Sequence, residues 1–146
     1  TLENVNVSDI TITGTESPIF VRLPNRARGY YEGQVIDSIG KLCDVSLSNI
    51  RITDAGSYGC SITGLPGHPV ENITLDNILL SHEGGGKNCP VPTDEKEKEY
   101  PEATMWGPFP AKGFFVHHAR NIKFNNVEIR TTSPDERPDY VKADVE

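Results

Sequence analysis

Features that mark helical, membrane-spanning or nucleic-acid-binding proteins are scarce in this sequence. Alanine is sparse and there is one methionine, whereas 13 glycines and 11 prolines interrupt the chain, so long helices are not expected. No apolar run approaches the roughly 20 residues that span a bilayer. The formal net charge of −7 argues against nucleic-acid and anionic-membrane partners. The remaining composition is rich in Asn, Thr, Ile and Val, which is typical of an all-β protein with many turns.

Cysteine motifs and export signals are also missing. Cys43, Cys60 and Cys89 are an odd number at wide spacing, which fits neither a disulfide framework nor a metal motif. We therefore expect Cys43 and Cys60 to be small buried side chains. The first five residues already have strand patterning and lack the three regions of a signal peptide. A mature secreted protein has the same appearance, so localisation stays open at this point.

A nine-residue repeat occurs four times without gaps. Apolar residues occupy its second, fourth, seventh and ninth places, and Asn or Asp occupies its first and sixth places. This spacing predicts two short strands that meet at a corner. The polar residue at the sixth place suits the bend, because Asn and Asp tolerate the left-handed backbone region. The four copies are residues 4–12, 44–52, 72–80 and 121–129.

The intervals between the repeats are irregular, with starts at positions 4, 44, 72 and 121. Irregularity argues against propellers and leucine-rich repeats, whose periods are tighter. It fits a parallel β-helix, in which each coil tolerates loops inserted at its corners. We predict a single-domain, single-stranded parallel β-helix of about four coils over residues 1–146. Long loops are predicted at 24–40 and 84–110, and a C-terminal cap without strand alternation at 131–146.

A second series of short strands lies between the repeats. Alternation predicts that Val21, Ile62 and Val116 point inward, so that the next residue of each strand points outward. Parallel coils stack about 4.8 Å apart, and the three outward side chains should therefore form a column on one outer face. This column consists of Arg22, Thr63 and His117. Between the last two strands, residues 94–99 alternate in charge, which predicts a solvated loop or a single helical turn.

Several stretches of this sequence resemble glycoside hydrolase family 28, the polygalacturonase family that cleaves pectin. The most specific is residues 61–78, which contain Ile-Thr-Gly-Leu-Pro-Gly-His-Pro-Val-Glu-Asn-Ile-Thr-Leu. The resemblance covers most of the chain and is to the C-terminal part of bacterial members. It implies a right-handed β-helix, inverting hydrolysis of bonds next to galacturonate, and a secreted or periplasmic protein. The other matching stretches are residues 18–26, 84–86, 100–102 and 113–121.

The resemblance also reveals what the chain lacks. Family members carry Asn-Thr-Asp, Asp-Asp, His-Gly and Arg-Ile-Lys motifs on successive coils, and none of these occurs here. Inverting hydrolysis needs two carboxyl groups about 6.5–9.5 Å apart, and the predicted groove strands present no paired acids. We therefore expect no catalytic residue in this chain, which would supply coils and distal subsites to a parent enzyme.

The first coil is expected to be covered, because an open coil exposes unpaired backbone and apolar edge. The covering element is predicted to be a partner chain, a second copy of this chain, or a missing N-terminal part.

Five residues are candidates for substrate binding. Arg22 and Arg26 suit a carboxylate clamp on galacturonate, because a guanidinium group forks around a carboxylate; the alternative is a basic surface loop. Asn25 is a candidate for a sugar hydroxyl, or for a turn. His117 is a candidate for substrate contact or a structural histidine, and Trp106 either stacks on a sugar ring or pins its loop. The histidines lack the spacing of metal ligands, so neither a metal nor another cofactor is predicted.

Two further function classes remain open. One is a non-catalytic β-solenoid that binds carbohydrate or serves as a scaffold. The other is an enzyme of another class on the same fold, such as a calcium-dependent pectate lyase, which would need a cluster of outward acids that the predicted groove strands lack. The expected partner is a pectic oligo- or polysaccharide, with neither nucleic acid nor a membrane involved.

Overall fold

The computed structural model describes all 146 residues and consists almost entirely of parallel strands. The only helical element is one short 3₁₀ turn at Ala103–Met105. None of the helical structure is long and apolar enough to cross a membrane. The strands are β1 (Leu2–Thr13), β2 (Phe20–Arg22), β3 (Leu42–Ala55), β4 (Cys60–Thr63), β5 (Val70–His82), β6 (Phe114–Thr131) and β7 (Tyr140–Val145).

The strands form two stacked rows that meet in β6. The order is β1-β3-β5-β6-β4-β2, with β7 also paired to β6, and every pairing is parallel. The first residues of β6 pair with β4 and β7, and its later residues pair with β5. Each circuit of the chain therefore adds one long strand and one short strand. This arrangement confirms the prediction of a partial parallel β-helix with inserted loops.

The long strands bend at the Asn and Asp residues of the repeat. The sixth-place residues Asp9, Asn49, Asn77 and Asn126 have φ between 51° and 61°, so the predicted corner is confirmed. The first-place residues are also left-handed, with φ between 53° and 58°, and they add a second corner that the sequence interpretation did not assign. The first-place residues are Asn4, Asp44, Asn72 and Asn121.

Corner side chains bond from one coil to the next. At the sixth place, Asn77 donates to Asn49 at 2.9 Å, and Asn49 donates to Asp9 at 3.1 Å. At the first place, Asn121 donates to Asn72 at 2.9 Å, and Asn72 donates to Asp44 at 2.8 Å. The same residues therefore bend the backbone and hold successive coils in register.

The apolar places of the repeat form the main core. They stack in columns, such as the one that runs Val5, Val45, Ile73 and Ile122. In β3 and β5 these side chains are buried, whereas in β1 and the repeat part of β6 they are half-buried or, for Ile10, exposed. Of the two cysteines expected inside, Cys60 is fully buried, and Cys43 is only partly buried. The expectation for Cys43 was wrong, because it precedes the first-place corner and follows the inward Leu42.

The C-terminal segment contains a strand that its sequence pattern did not indicate. Residues 131–146 were expected to run over the last coil as a cap, and within them β7 pairs with Phe114–Ala119 of β6. Tyr140 at its start packs on Phe114 and Phe124, with ring centroids 6.1 and 4.9 Å away. β7 therefore covers one half of the last coil and leaves the repeat at residues 122–129 half-buried.

Candidate functional site

The outward column exists in the predicted register. Arg22 pairs with Thr63, and Thr63 pairs with His117, while the preceding residues of these strands pack into the main core. The column is not an open surface, however. Arg22 is 7% exposed and Thr63 is 1% exposed, because loop 84–110 lies across this face of the sheet.

A second apolar cluster holds loop 84–110 on the sheet. Phe109 and Ala111 of the loop end are fully buried against Phe115 of β6, with the two phenylalanine rings 6.1 Å apart. Val91 and Trp106 of the loop, Phe20 of β2 and Val141 of β7 pack around this cluster. Burial of two large aromatic side chains is worth several kcal/mol, so this loop belongs to the folded core.

Two polar clasps, His82 and a buried ion pair, bond to the ends of the same loop. The Nδ1 atom of His82 accepts from the backbone N–H of Gly84 at 3.1 Å, and its Nε2 lies 2.8 Å from the carbonyl oxygen of Lys112. Since Nδ1 accepts, Nε2 carries the proton and donates. Burial lowers the pKa of His82, which favours this neutral form. His82 therefore closes the loop at both ends without carrying a charge.

The second clasp is a buried ion pair. Arg137 and Asp135 have fully buried side chains with a 2.8 Å contact from Nη2 to Oδ2. Asp135 accepts from the N–H of Gly86, and Arg137 donates to the carbonyl oxygens of Phe109 and Ser57. The Arg137 guanidinium holds the pKa of Asp135 well below its usual range, so this buried carboxyl group stays ionised.

Arg22, the first candidate for substrate binding, is enclosed by this loop. Its guanidinium donates to the carbonyl oxygens of Gly64 at 2.6 Å and Glu95 at 2.5 Å, and its Nη1 is 3.8 Å from Glu95 Oε2. Its Nε is buried without a partner. Burial lowers the pKa of Arg22, and Glu95 and Glu97 oppose that shift. A substrate carboxylate would have to displace the loop to reach Arg22.

The two candidates in loop 24–40, Asn25 and Arg26, contact the same loop at its surface. Asn25 donates from Nδ2 to Glu97 Oε2 at 3.2 Å, and its backbone N–H donates to the Glu97 carbonyl at 2.8 Å. Arg26 lies over the ring of Tyr100, with its guanidinium carbon 4.9 Å from the ring centroid. Tyr100 is 63% exposed, so Arg26 and Tyr100 form a surface pair.

Trp106 makes the contacts of a residue that pins its loop, one of the two alternatives open from the sequence. Its Nε1 donates to the Asp94 carbonyl at 2.9 Å, and its ring lies 4.9 Å from the Arg22 guanidinium carbon. It is partly buried at the margin of the second apolar cluster. Arg22, Asn25 and Arg26 therefore all contact residues 94–106, the segment that contains Trp106.

His117 lies beside His118, Glu95 and Asp144. The two imidazole rings stack with centroids 3.7 Å apart. His118 Nε2 is 2.8 Å from Glu95 Oε1, and His118 Nδ1 is 2.5 Å from Asp144 Oδ2. Burial, and then the charge of His118, lower the pKa of His117. One oxygen of Glu95 and one nitrogen from each histidine lie within 4.8 Å of one another.

A cavity of about 550 Å³ opens next to these groups. Four of its nine lining residues are acids and two are lysines, so its lining is predominantly acidic. It is bounded by Ile39, Leu65, Pro66 and residues 94–99. A second cavity, of about 400 Å³, is lined by two of the candidate residues, Arg22 and Arg26, together with Thr1, Leu2 and residues 40–42.

Sequence reasoning missed three residues of this region. Glu95 belongs to the stretch predicted to be solvated, but its side chain is 26% exposed. His118 has φ of 49° and lies at a corner like those of the repeat. Histidine, unlike Asn or Asp, does not indicate a left-handed corner in a sequence. Asp144 has φ of 51° and joins this region through β7. Residues 94–99 do form a loop, as the alternating charge indicated. The charge pattern gave no information about what this loop packs against.

A scan against protein-family models and searches of the curated proteins and the solved structures found no match to this chain.

Proposed function

We propose that this chain forms non-catalytic coils of a polygalacturonase-like glycoside hydrolase that acts on pectic polysaccharide by inverting hydrolysis. In this proposal the chain supplies scaffold and a distal sugar subsite, and the parent enzyme is secreted or periplasmic. The observation that carries the proposal is that Arg22, Asn25 and Arg26 contact segment 94–106, which contains Trp106, with His117 beside it on the outer face of the β2-β4-β6 row. Outer faces of coils stacked in register offer a continuous surface for an extended polymer.

The Arg26–Tyr100 pair is the best candidate for the subsite. The Arg26 side chain has no hydrogen bond or ion pair within the chain and contacts the Tyr100 ring, so its donors are available for a carboxylate. The exposed face of Tyr100 suits a sugar ring. The acidic lining of the neighbouring cavity repels a polyanion, which favours binding at this pair over binding inside the cavity.

Calorimetry with oligogalacturonate tests the subsite. Hydrogen bonds to a charged group contribute about 1.5–3 kcal/mol, so Arg26→Ala should weaken affinity by roughly 10- to 100-fold. Arg28→Ala is the matched control, because Arg28 is exposed and lies two residues away; it should change affinity little. A neutral oligosaccharide should bind more weakly than oligogalacturonate. Equal losses in the two arginine variants would contradict a specific subsite.

A second candidate function is a scaffold that binds no glycan. It is favoured by the internal partners of Arg22 and Asn25, which leave two predicted binding residues already satisfied. The folded protein would then bind neither oligogalacturonate nor a neutral oligosaccharide. Under both proposals the purified 146-residue protein should release no reducing ends from polygalacturonate, and release would overturn the non-catalytic assignment.

A further inference from the structure

We propose that Glu95, His117 and His118 form a binding site for a divalent transition-metal ion of the zinc type. The three ligand atoms, one carboxylate oxygen and two imidazole nitrogens, lie within 4.8 Å of one another. Oxygen and nitrogen ligands of this kind bind Zn²⁺ at about 2.0–2.2 Å. The site is independent of any role in glycan binding.

Asp144 supports the proposed site by bonding to the His118 ring nitrogen that faces away from Glu95. Its Oδ2 is 2.5 Å from Nδ1 of His118, so the Nδ1–H donates to Asp144 and Nε2, on the other side of the ring, faces Glu95. Histidines that bind a metal usually donate their other N–H to a carboxylate or carbonyl, which fixes the tautomer and the ring orientation. Asp144 is therefore the carboxylate partner that His118 needs if it is to bind a metal.

The cluster is held rigidly enough to bind an ion. His117 lies within β6, paired with Thr63 on one side and Ala143 on the other. His118 is 8% exposed, and its ring stacks on that of His117. Glu95 is fixed through its own backbone carbonyl, which accepts from Arg22. Ligands that need little further ordering lose little conformational entropy on binding.

The local charge also favours a cation. Arg22 lies near Oε2 of Glu95, at 3.8 Å, and leaves Oε1 directed at His118. The two carboxylates Glu95 and Asp144 exceed the single guanidinium of Arg22 in charge, so a divalent ion enters a net negative environment. His118 Nε2 and Glu95 Oε1 are 2.8 Å apart, a contact that requires a proton between them when no metal is bound, and metal binding displaces such protons.

The ion would tie three elements together. Glu95 belongs to loop 84–110, the histidines belong to β6, and Asp144 belongs to β7. Three protein ligands leave a fourth position for water or for an oxygen of a bound molecule. We expect metal binding to raise the thermal stability of the whole chain, because an ion that binds only the folded state stabilises it by mass action.

Zinc chloride titrated into chelator-treated protein tests the proposal, with calorimetry and thermal unfolding as readouts. The background should be Cys89→Ser, because Cys89 is an exposed thiol that could bind zinc. One equivalent of Zn²⁺ should bind and raise Tm, whereas Mg²⁺ and Ca²⁺, which prefer oxygen ligands, should do neither. Co²⁺ should give the visible absorption of a four-coordinate site. Absence of zinc binding by the folded protein would overturn the proposal.

Three variants and a control locate the ion. Glu95→Gln and His117→Gln should each lower zinc affinity at least 100-fold, and Asp144→Asn should lower it about 10- to 100-fold. Asp144 is exposed, and asparagine tolerates its left-handed backbone, so this variant should fold even if the others do not. His68→Gln, in an exposed turn outside the cluster, should bind zinc normally. Unchanged affinity in Asp144→Asn, or an equal loss in His68→Gln, would refute the assignment.

Discussion

The two long loops of this protein both contain glycine and aromatic residues, but their environments are opposite. Neither loop has sustained periodicity. In loop 24–40, Tyr30 is 95% exposed and Tyr31 is 70% exposed. In loop 84–110, Phe109 is fully buried. An aromatic residue in a loop thus does not by itself predict whether its side chain is buried. Burial depends on the surface against which the loop packs.

The difference comes from residues outside the loops. His82 and the Arg137–Asp135 pair bond to both ends of loop 84–110, and Phe115 of β6 supplies an apolar surface beneath it. Loop 24–40 has few bonds to the rest of the chain, and those of Asn25 go to Glu97 of the other loop. The anchored loop therefore contributes to global stability, and the other loop should not.

Removal of the buried clasp should have the largest effect. Arg137→Ala leaves Asp135 as an unpaired buried charge and removes donors from the carbonyls of Phe109 and Ser57. Breaking a buried pair costs about 3–5 kcal/mol of unfolding free energy, which urea denaturation can measure. Arg130→Ala, at an exposed arginine, is the control and should change the unfolding free energy by less than about 1 kcal/mol. A similar small loss in Arg137→Ala would show that the clasp does not hold the loop.

Removal of the buried Phe109 ring should have the next largest effect on stability. Phe109→Ala deletes a fully buried ring and should cost about 3 kcal/mol, toward the low end for buried phenylalanine, because the backbone bonds of the loop ends remain. The urea midpoint should fall with little change in slope. A marked change in slope would mean that the loop detaches before the coils unfold.

The neutral His82 predicts that the stability of the fold depends on pH. Burial lowers the pKa of His82 below the ordinary value of 6.5, so below pH 6.5 the unfolded chain takes up a proton that the folded chain resists. Folded stability is thus full above that pH and falls as the pH drops from 6.5 towards the folded pKa. The urea midpoint should be lower at pH 5.5 than at pH 7.5.

His82→Gln should reduce that pH difference, because glutamine does not titrate. His117, whose pKa is also lowered by burial, should leave a residual dependence of the same sign. An undiminished pH difference in His82→Gln would exclude His82 as its source.

The smallest effect is expected in the exposed loop. Tyr31→Ala removes a side chain that is 70% exposed, and the unfolding free energy should change by no more than about 0.5 kcal/mol. A loss comparable to that of Phe109→Ala would abolish the distinction between the two loops.

The fold was predictable because its determinants are local. The repeat specifies which side chains point inward, and Asn and Asp at the sixth place specify a corner; both follow from backbone geometry within nine residues. The second corner was signalled in the same way by Asn and Asp at the first place, but that signal was not interpreted. Alternation also placed Arg22 and His117 correctly on the outer face.

The environment of that face was not predictable in the same way. Burial of Arg22 depends on where loop 84–110 lies, and that depends on Phe109, Arg137 and His82, which are far from Arg22 in sequence. The approach of Glu95 and Asp144 to His118 likewise joins three separate elements. Such contacts are set by the packing of the whole chain, and no short motif encodes them.

The rows of hydrogen bonds between corner side chains, here called ladders, have a direction. Each asparagine amide donates toward the preceding coil, and each ladder begins at an aspartate, Asp9 or Asp44, which accepts and cannot donate when ionised. At the other end of the sixth-place row, Asn126 uses its amide N–H on Asp76 of the preceding coil. Two copies stacked head to tail would place Asp9 of one copy next to Asn126 of the other, and the carboxylate of Asp9 could not donate to the Asn126 oxygen. The residues that join coils within the chain thus disfavour endless growth between chains.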